Sequence, residues 1–73
     1  MSSLINKNKS FDCCVKGLKC KYHIRLPSWP EGDEVYWNQE QNELYYISIS
    51  SEITLPWCPT GEEIMRNDWE ILG

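Results

Sequence analysis

Long apolar segments are missing from this sequence. None of its 73 residues belongs to a run approaching the roughly 20 apolar residues that span a membrane. Residues 1–7 also lack the apolar core of a secretion signal. We therefore expect a soluble, cytoplasmic protein without a membrane partner. A chain this short has room for one domain only, because it buries too little surface for two cores.

The residue patterns of common enzyme sites are missing too. Glycine occurs at only four positions, so there is no glycine-rich phosphate loop. One histidine cannot form the paired-histidine motif of zinc proteases. Cys20 and His23 could serve as nucleophile and base. Three residues apart on one strand they would point to opposite faces, so the sequence predicts a protein that is not an enzyme.

Charge is distributed unevenly along the chain. Residues 1–26 carry six basic and one acidic side chain, a net charge of +5, whereas residues 27–73 carry ten acids and one arginine, a net charge of −9. The basic part would suit a nucleic-acid backbone, or it could pack against the acidic remainder. A sequence pI of about 4.8 favours the second interpretation, because nucleic-acid-binding domains are usually basic overall.

The hydrophobic pattern predicts an α+β fold, a small antiparallel meander of three to four strands with one C-terminal helix. Residues 43–50 form the strongest strand pattern, and its Tyr45, Ile47 and Ile49 are the predicted core face. Pro56 is expected to mark an edge strand or the end of pairing. The other predicted strands cover residues 21–26, 33–37 and 53–57.

The two ends of the chain show different patterns. Thr60 and Glu63 have capping-box spacing, and Met65, Trp69 and Leu72 recur at helical spacing, which predicts a helix over residues 61–71. Residues 1–10 are polar and are expected to form a flexible arm. Residues 11–73 are then one small domain, whose Cys-containing start, up to residue 20, is expected to be irregular.

Four cysteines without an export signal are expected to be reduced thiols. Cys20 and His23 have Cys-x-x-His spacing, which is compatible with a structural zinc ion. A zinc would stabilise a core this small. Buried thiols are the alternative, since free cysteine behaves as a small hydrophobic residue. The candidate metal ligands are Cys13, Cys14, Cys20, His23 and Cys58.

The C-terminal third resembles a group of small uncharacterised bacterial and phage proteins. Those proteins end in a Cys-Pro-Trp-Cys-Gly turn, a linker and a Trp-containing helix closed by Leu-Gly, and residues 55–59 and 67–73 are similar. The adjacent Cys13 and Cys14 and the Tyr/Ile-rich segment around residues 44–49 match as well. Leu55 stands where the group has the first cysteine of its turn. The resemblance implies a similar fold and a bacterial or phage origin, and it implies no activity.

Aromatic residues suggest a binding role. Four tryptophans and four tyrosines are more than so small a core can enclose, and these residue types anchor interfaces. Trp29 lies between two prolines, as a rigid anchor or as a lid folded back onto the sheet. Its neighbours Glu31, Asp33 and Glu34 could steer a partner with a basic surface.

The predicted function is therefore a small non-enzymatic protein-binding module acting as an inhibitor, adaptor or regulator. If the chain is phage-encoded, as the resemblance implies, a host nucleic-acid enzyme is the expected target. The alternative is a zinc-stabilised nucleic-acid-binding module. It would use the basic side chains of residues 16–25, which are Lys16, Lys19, Lys21 and Arg25.

Overall fold

Six strands form one antiparallel sheet in the order β1-β6-β2-β3-β4-β5. The computed structural model describes residues 3–73. In chain order the elements are β1 (Leu4–Lys9), α1 (Phe11–Lys19), β2 (His23–Arg25), β3 (Glu34–Asn38), β4 (Glu43–Ser48), β5 (Ile53–Pro56), α2 (Gly61–Ile64) and β6 (Trp69–Leu72). β6 lies between β1 and β2, so the two ends of the chain pair with each other.

The predicted α+β meander of three to four strands with one C-terminal helix is wrong. The chain is mostly β, with about 18% helix in two short pieces. Strands β2 to β5 do follow one another as a meander. The prediction missed β6 at the C-terminal end and β1 inside residues 1–10. The first two residues of that predicted arm lie outside the described residues.

Helix α1 occupies the segment that was expected to be irregular. Ser10 caps it, since its hydroxyl accepts a hydrogen bond from the Cys13 amide at 3.4 Å. Asp12 in the first turn and two lysines in the last turn complement the helix dipole. The helix lies close to the sheet at Gly17, where an added Cβ would stand 3.3 Å from a methyl group of Ile71. A larger residue at this position would require the Ile71 side chain to shift by a few tenths of an ångström.

α1 ends in a Schellman motif. The Lys21 amide donates to the Leu18 carbonyl, and the Tyr22 amide donates to the Gly17 carbonyl, each at 3.0 Å. This motif needs a left-handed residue after the C-cap, and Lys21 has a φ of 68°. Glycine is the usual residue there, because it lacks the Cβ that opposes positive φ.

The predicted helix over residues 61–71 ends at Ile64. Its capping box is confirmed, with the Thr60 hydroxyl accepting from the Glu63 amide and the Glu63 carboxylate accepting from the Thr60 amide. Further on, Trp69 lies in β6 and is fully buried, whereas Met65 is 78% exposed. Pairing with β2 on one side and β1 on the other overrides the helical spacing of the apolar residues.

The inner face of the sheet carries the core. Ile24 is aligned with Val35 and Ile71, and Val35 with Tyr46, so these four side chains share that face. The predicted core face of β4 was therefore wrong. Tyr45 and Ile47 lie on the outer face, and Ile49 is 56% exposed in the following turn. The core consists of Cys14, Leu18, Ile24, Leu26, Val35, Trp69 and Ile71.

Pro56 ends β5, which confirms its predicted position on an edge strand. The Trp57 amide donates to the Leu44 carbonyl at 2.8 Å, so the preceding backbone nitrogen faces away from β4. A proline is accepted there because no ladder hydrogen bond is lost. No helix within residues 3–73 is long and apolar enough to cross a membrane.

Candidate protein-binding groove

The sequence-predicted contact residue Trp29 lies inside an aromatic cluster. Its ring centroid is 4.9 Å from that of Tyr46, 5.6 Å from that of Trp69 and 5.8 Å from that of Trp57. The side chain is half-buried and packs against the core. The loop between β2 and β3 thus folds back over the inner face of the sheet, which is the lid arrangement.

The acidic residues after Trp29 do not form one surface. Glu31 is exposed. Asp33 is only 3% exposed and accepts hydrogen bonds from the Tyr46 hydroxyl at 2.6 Å and from the Ile49 amide at 3.0 Å. On the outer face, Oε1 of the Glu34 carboxylate lies 2.7 Å from Nδ1 of His23. Asp33 and Glu34 therefore make contacts within the molecule that link neighbouring strands.

The bond between Tyr46 and Asp33 has an electrostatic consequence. Burial, together with the hydrogen bond to the Asp33 carboxylate, raises the pKa of the Tyr46 phenol to about 12. The neutral phenol is the form that donates this bond. The pair therefore closes the turn between β2 and β3 against β4.

The predicted zinc ligands are spread over the fold. Cys14 is a fully buried residue of α1, and Cys13 beside it is half-buried. Cys20 is the exposed C-cap of α1, and Cys58 is exposed after β5. His23 belongs to the outer face, where Glu34 contacts its Nδ1.

Among residues 3–73, no three or more His, Cys, Asp or Glu side chains are grouped so as to hold a metal ion. A structural zinc stays a prediction, which elemental analysis of the purified protein tests. The Cys14 thiol is also poorly suited to form the reactive thiolate. Burial, with a smaller effect of its neighbour Cys13, raises the pKa of this thiol to about 12.

The basic segment divides into two parts. Arg25 is held within the fold, donating to the Trp29 carbonyl at 2.8 Å and pairing with the Glu70 carboxylate at 3.5 Å. Lys16, Lys19 and Lys21 are exposed. Three of the four predicted nucleic-acid contacts are thus available on the surface.

A groove of about 940 Å³ lies between α1 and the β3–β4 hairpin. The groove lies near the N-terminal end of β2. There β2 is paired with β3, with Ile24 aligned opposite Val35. The lining of the groove includes a tryptophan, a phenylalanine, two tyrosines and two lysines, Lys19 at the end of α1 and Lys21 just after it. The lining residues are Phe11, Val15, Leu18, Lys19, Lys21, Tyr22, His23, Tyr36, Trp37, Asn38, Gln39, Glu40 and Leu44.

Large apolar side chains in the groove are exposed to solvent. Trp37 is 42% exposed, Tyr22 38% and Val15 37%. Phe11 and Leu44 are partly buried against the core, so they give the groove a packed floor. Tryptophan is enriched at the energetic centres of protein interfaces, so Trp37 is a candidate contact residue.

Sequence reasoning missed this groove because it treated residues 11–20 as irregular. Phe11, Val15 and Leu18 recur at positions i, i+4 and i+7, which is typical of one face of a helix. Ser10 before them is a good N-cap residue. Together these features could have predicted α1 and its apolar face.

The comparisons with known proteins place this chain in no group. No protein-family model matches it, and neither a curated protein nor a solved structure is significantly similar.

Proposed function

We propose that this protein is a small non-enzymatic protein-binding module whose contact surface is the groove between α1 and the β3–β4 hairpin. The observation that carries the proposal is the exposure of Trp37 in an apolar concave surface. Tryptophan is among the residues that contribute most to binding when a partner desolvates them. The occupant is a segment of a partner protein that presents an apolar side chain.

The groove replaces the Trp29 loop as the contact surface for two reasons. Trp29 already has three ring partners inside the molecule. Its acidic neighbour Asp33 is buried, so the loop offers little charge to a basic partner. A partner segment in the groove instead meets lysines on the helix side.

The thiols and the histidine support a role without catalysis. Cys14 is buried with a raised pKa, which disfavours the nucleophilic thiolate. His23 is held by Glu34 on the outer face and is not paired with a thiol in the hydrogen bonds of the described residues. A module of this kind would act by occupying or recruiting its partner, as inhibitor, adaptor or regulator.

Selection from a random peptide library tests the proposal. We expect the wild-type protein to enrich peptides that share an apolar residue. Trp37→Ala should weaken the binding of the enriched peptides about 30-fold, which is the effect of losing an interface anchor that contributes about 2 kcal/mol.

Leu55→Ala is the matched control, because Leu55 is 53% exposed but lies on β5 outside the groove. It should leave binding unchanged. Failure to enrich any peptide family, or equal binding by Trp37→Ala, would refute the proposal.

A further inference from the structure

The helix side of the groove is basic. Lys19 and Lys21 both line it and both are exposed. Lys19 also lies in the last turn of α1, where a positive charge complements the helix dipole. The stability of the helix is therefore enough to account for a lysine at this position. Lys21 lies beyond the helix, after the C-cap, so the helix dipole does not explain its position.

Lys21 has a backbone conformation that suits another residue better. Its φ of 68° is in the left-handed region, at the Schellman position where glycine is preferred. A lysine there costs stability that glycine would not cost. Among residues 3–73, Asn8, Asn42 and Glu52 also have a positive φ, but of these four residues only Lys21 lines the groove, which points to a use for its side chain.

The hairpin side of the groove has the opposite charge. Glu40 lines it at the tip of the β3–β4 turn and is exposed. Val15 of α1 and Trp37 of β3 also line the groove and would contact an apolar side chain. The groove therefore distinguishes the two ends of a bound segment by charge.

We propose that the partner segment carries an acidic residue next to its apolar anchor, with the acidic residue paired to Lys21 and Lys19. This inference rests on the proposed protein-binding function and names the class of its partner. The acidic residue faces the helix side, and the anchor contacts Trp37.

Three labelled peptides test the charge preference. They share one tryptophan anchor, flanked in the first by Asp and Glu, in the second by Asn and Gln, and in the third by Lys and Arg. The acidic peptide should bind most tightly and the basic peptide least, and added salt should reduce the differences. Replacing both groove lysines, as Lys19→Gln with Lys21→Gln, should weaken the acidic peptide roughly 2- to 30-fold, as for two exposed ion pairs.

Lys21→Gly separates binding from stability. It should raise the melting temperature, because glycine suits the left-handed conformation, and still weaken the acidic peptide roughly 2- to 5-fold. The neutral peptide should bind this variant as it binds the wild type. Lys7→Gln is the control for net charge, since Lys7 is exposed on β1 outside the groove.

Each contrary result has its own meaning. Equal affinity for the acidic and neutral peptides, with Trp37→Ala still weakening both, would refute the acidic partner and leave the groove as a protein-binding site. Absence of binding by every peptide, together with an unproductive library selection, would refute the proposed function. Tight binding of a single-stranded oligonucleotide that falls steeply with salt would overturn the acidic segment in favour of nucleic acid.

Discussion

Trp29→Ala removes the ring that joins three other aromatic side chains over the inner face of the sheet. The Trp29 centroid lies 4.9 to 5.8 Å from those of Tyr46, Trp69 and Trp57. Two of these contacts are edge-to-face, an arrangement that stabilises an aromatic pair beyond its buried area. Loss of the ring would also expose the fully buried Trp69.

The expected cost follows from these contacts. Replacing a buried Phe or Trp by Ala lowers the free energy of unfolding by about 3–5 kcal/mol. Trp29 is half-buried, so we expect about 3 kcal/mol. A 73-residue domain has a total stability of about 4–11 kcal/mol. The variant should melt roughly 12–24 °C below the wild type.

Urea unfolding followed by far-ultraviolet circular dichroism measures this change without depending on tryptophan fluorescence. Trp37→Ala is the matched control, since it removes the same side chain from an exposed position and should cost about 1 kcal/mol or less. The two tryptophans should then separate: Trp29 determines stability, and Trp37 determines binding. A Trp29→Ala protein with the wild-type urea midpoint would refute the structural role, and Trp29 would return as a contact residue.

Two further predictions concern titratable groups. The pKa of Tyr46 is raised to about 12, above an unfolded value near 10, so its contribution to stability is complete below about pH 10 and is lost as the pH rises towards 12. The free energy of unfolding of the wild type should fall across that interval, and that of Tyr46→Phe should fall less. Parallel curves of unfolding free energy against pH for the two proteins would contradict this. Cys14, with its pKa raised to about 12 by burial, should react with iodoacetamide at about pH 8 far more slowly than the exposed Cys20 and Cys58, as measured by mass spectrometry of the folded protein. Equal labelling of the three thiols would show that α1 does not bury Cys14.

Local patterns predicted those parts of the fold that depend on neighbouring residues alone. The capping box of Thr60 and Glu63 is formed within four residues, and it is present. The alternating segments that became β2 to β5 were located, and Pro56 was placed on an edge. Each of these features depends on short-range sterics or hydrogen bonds.

The pairing partners of a segment lie outside it, and there local patterns failed. The spacing of Met65, Trp69 and Leu72 fits a helix, yet Trp69 and Leu72 enter β6 because a place between β1 and β2 buries both side chains. Likewise, the alternation of side chains along β4 defines two faces of the strand, but it does not show which face is covered by the rest of the molecule. Tyr46 became the inner residue and Tyr45 the outer one because Trp29 covers that side of the strand.

The sequence by itself determined the caps, the strand segments of the meander and the aromatic and basic residues available for binding. Only the tertiary structure decided that Trp29 closes the core and that Trp37 is exposed. Only it brought α1 beside the β3–β4 hairpin to make the groove. The physical reason is that burial is a property of packing between elements distant in the chain, and local preference is too weak to determine it.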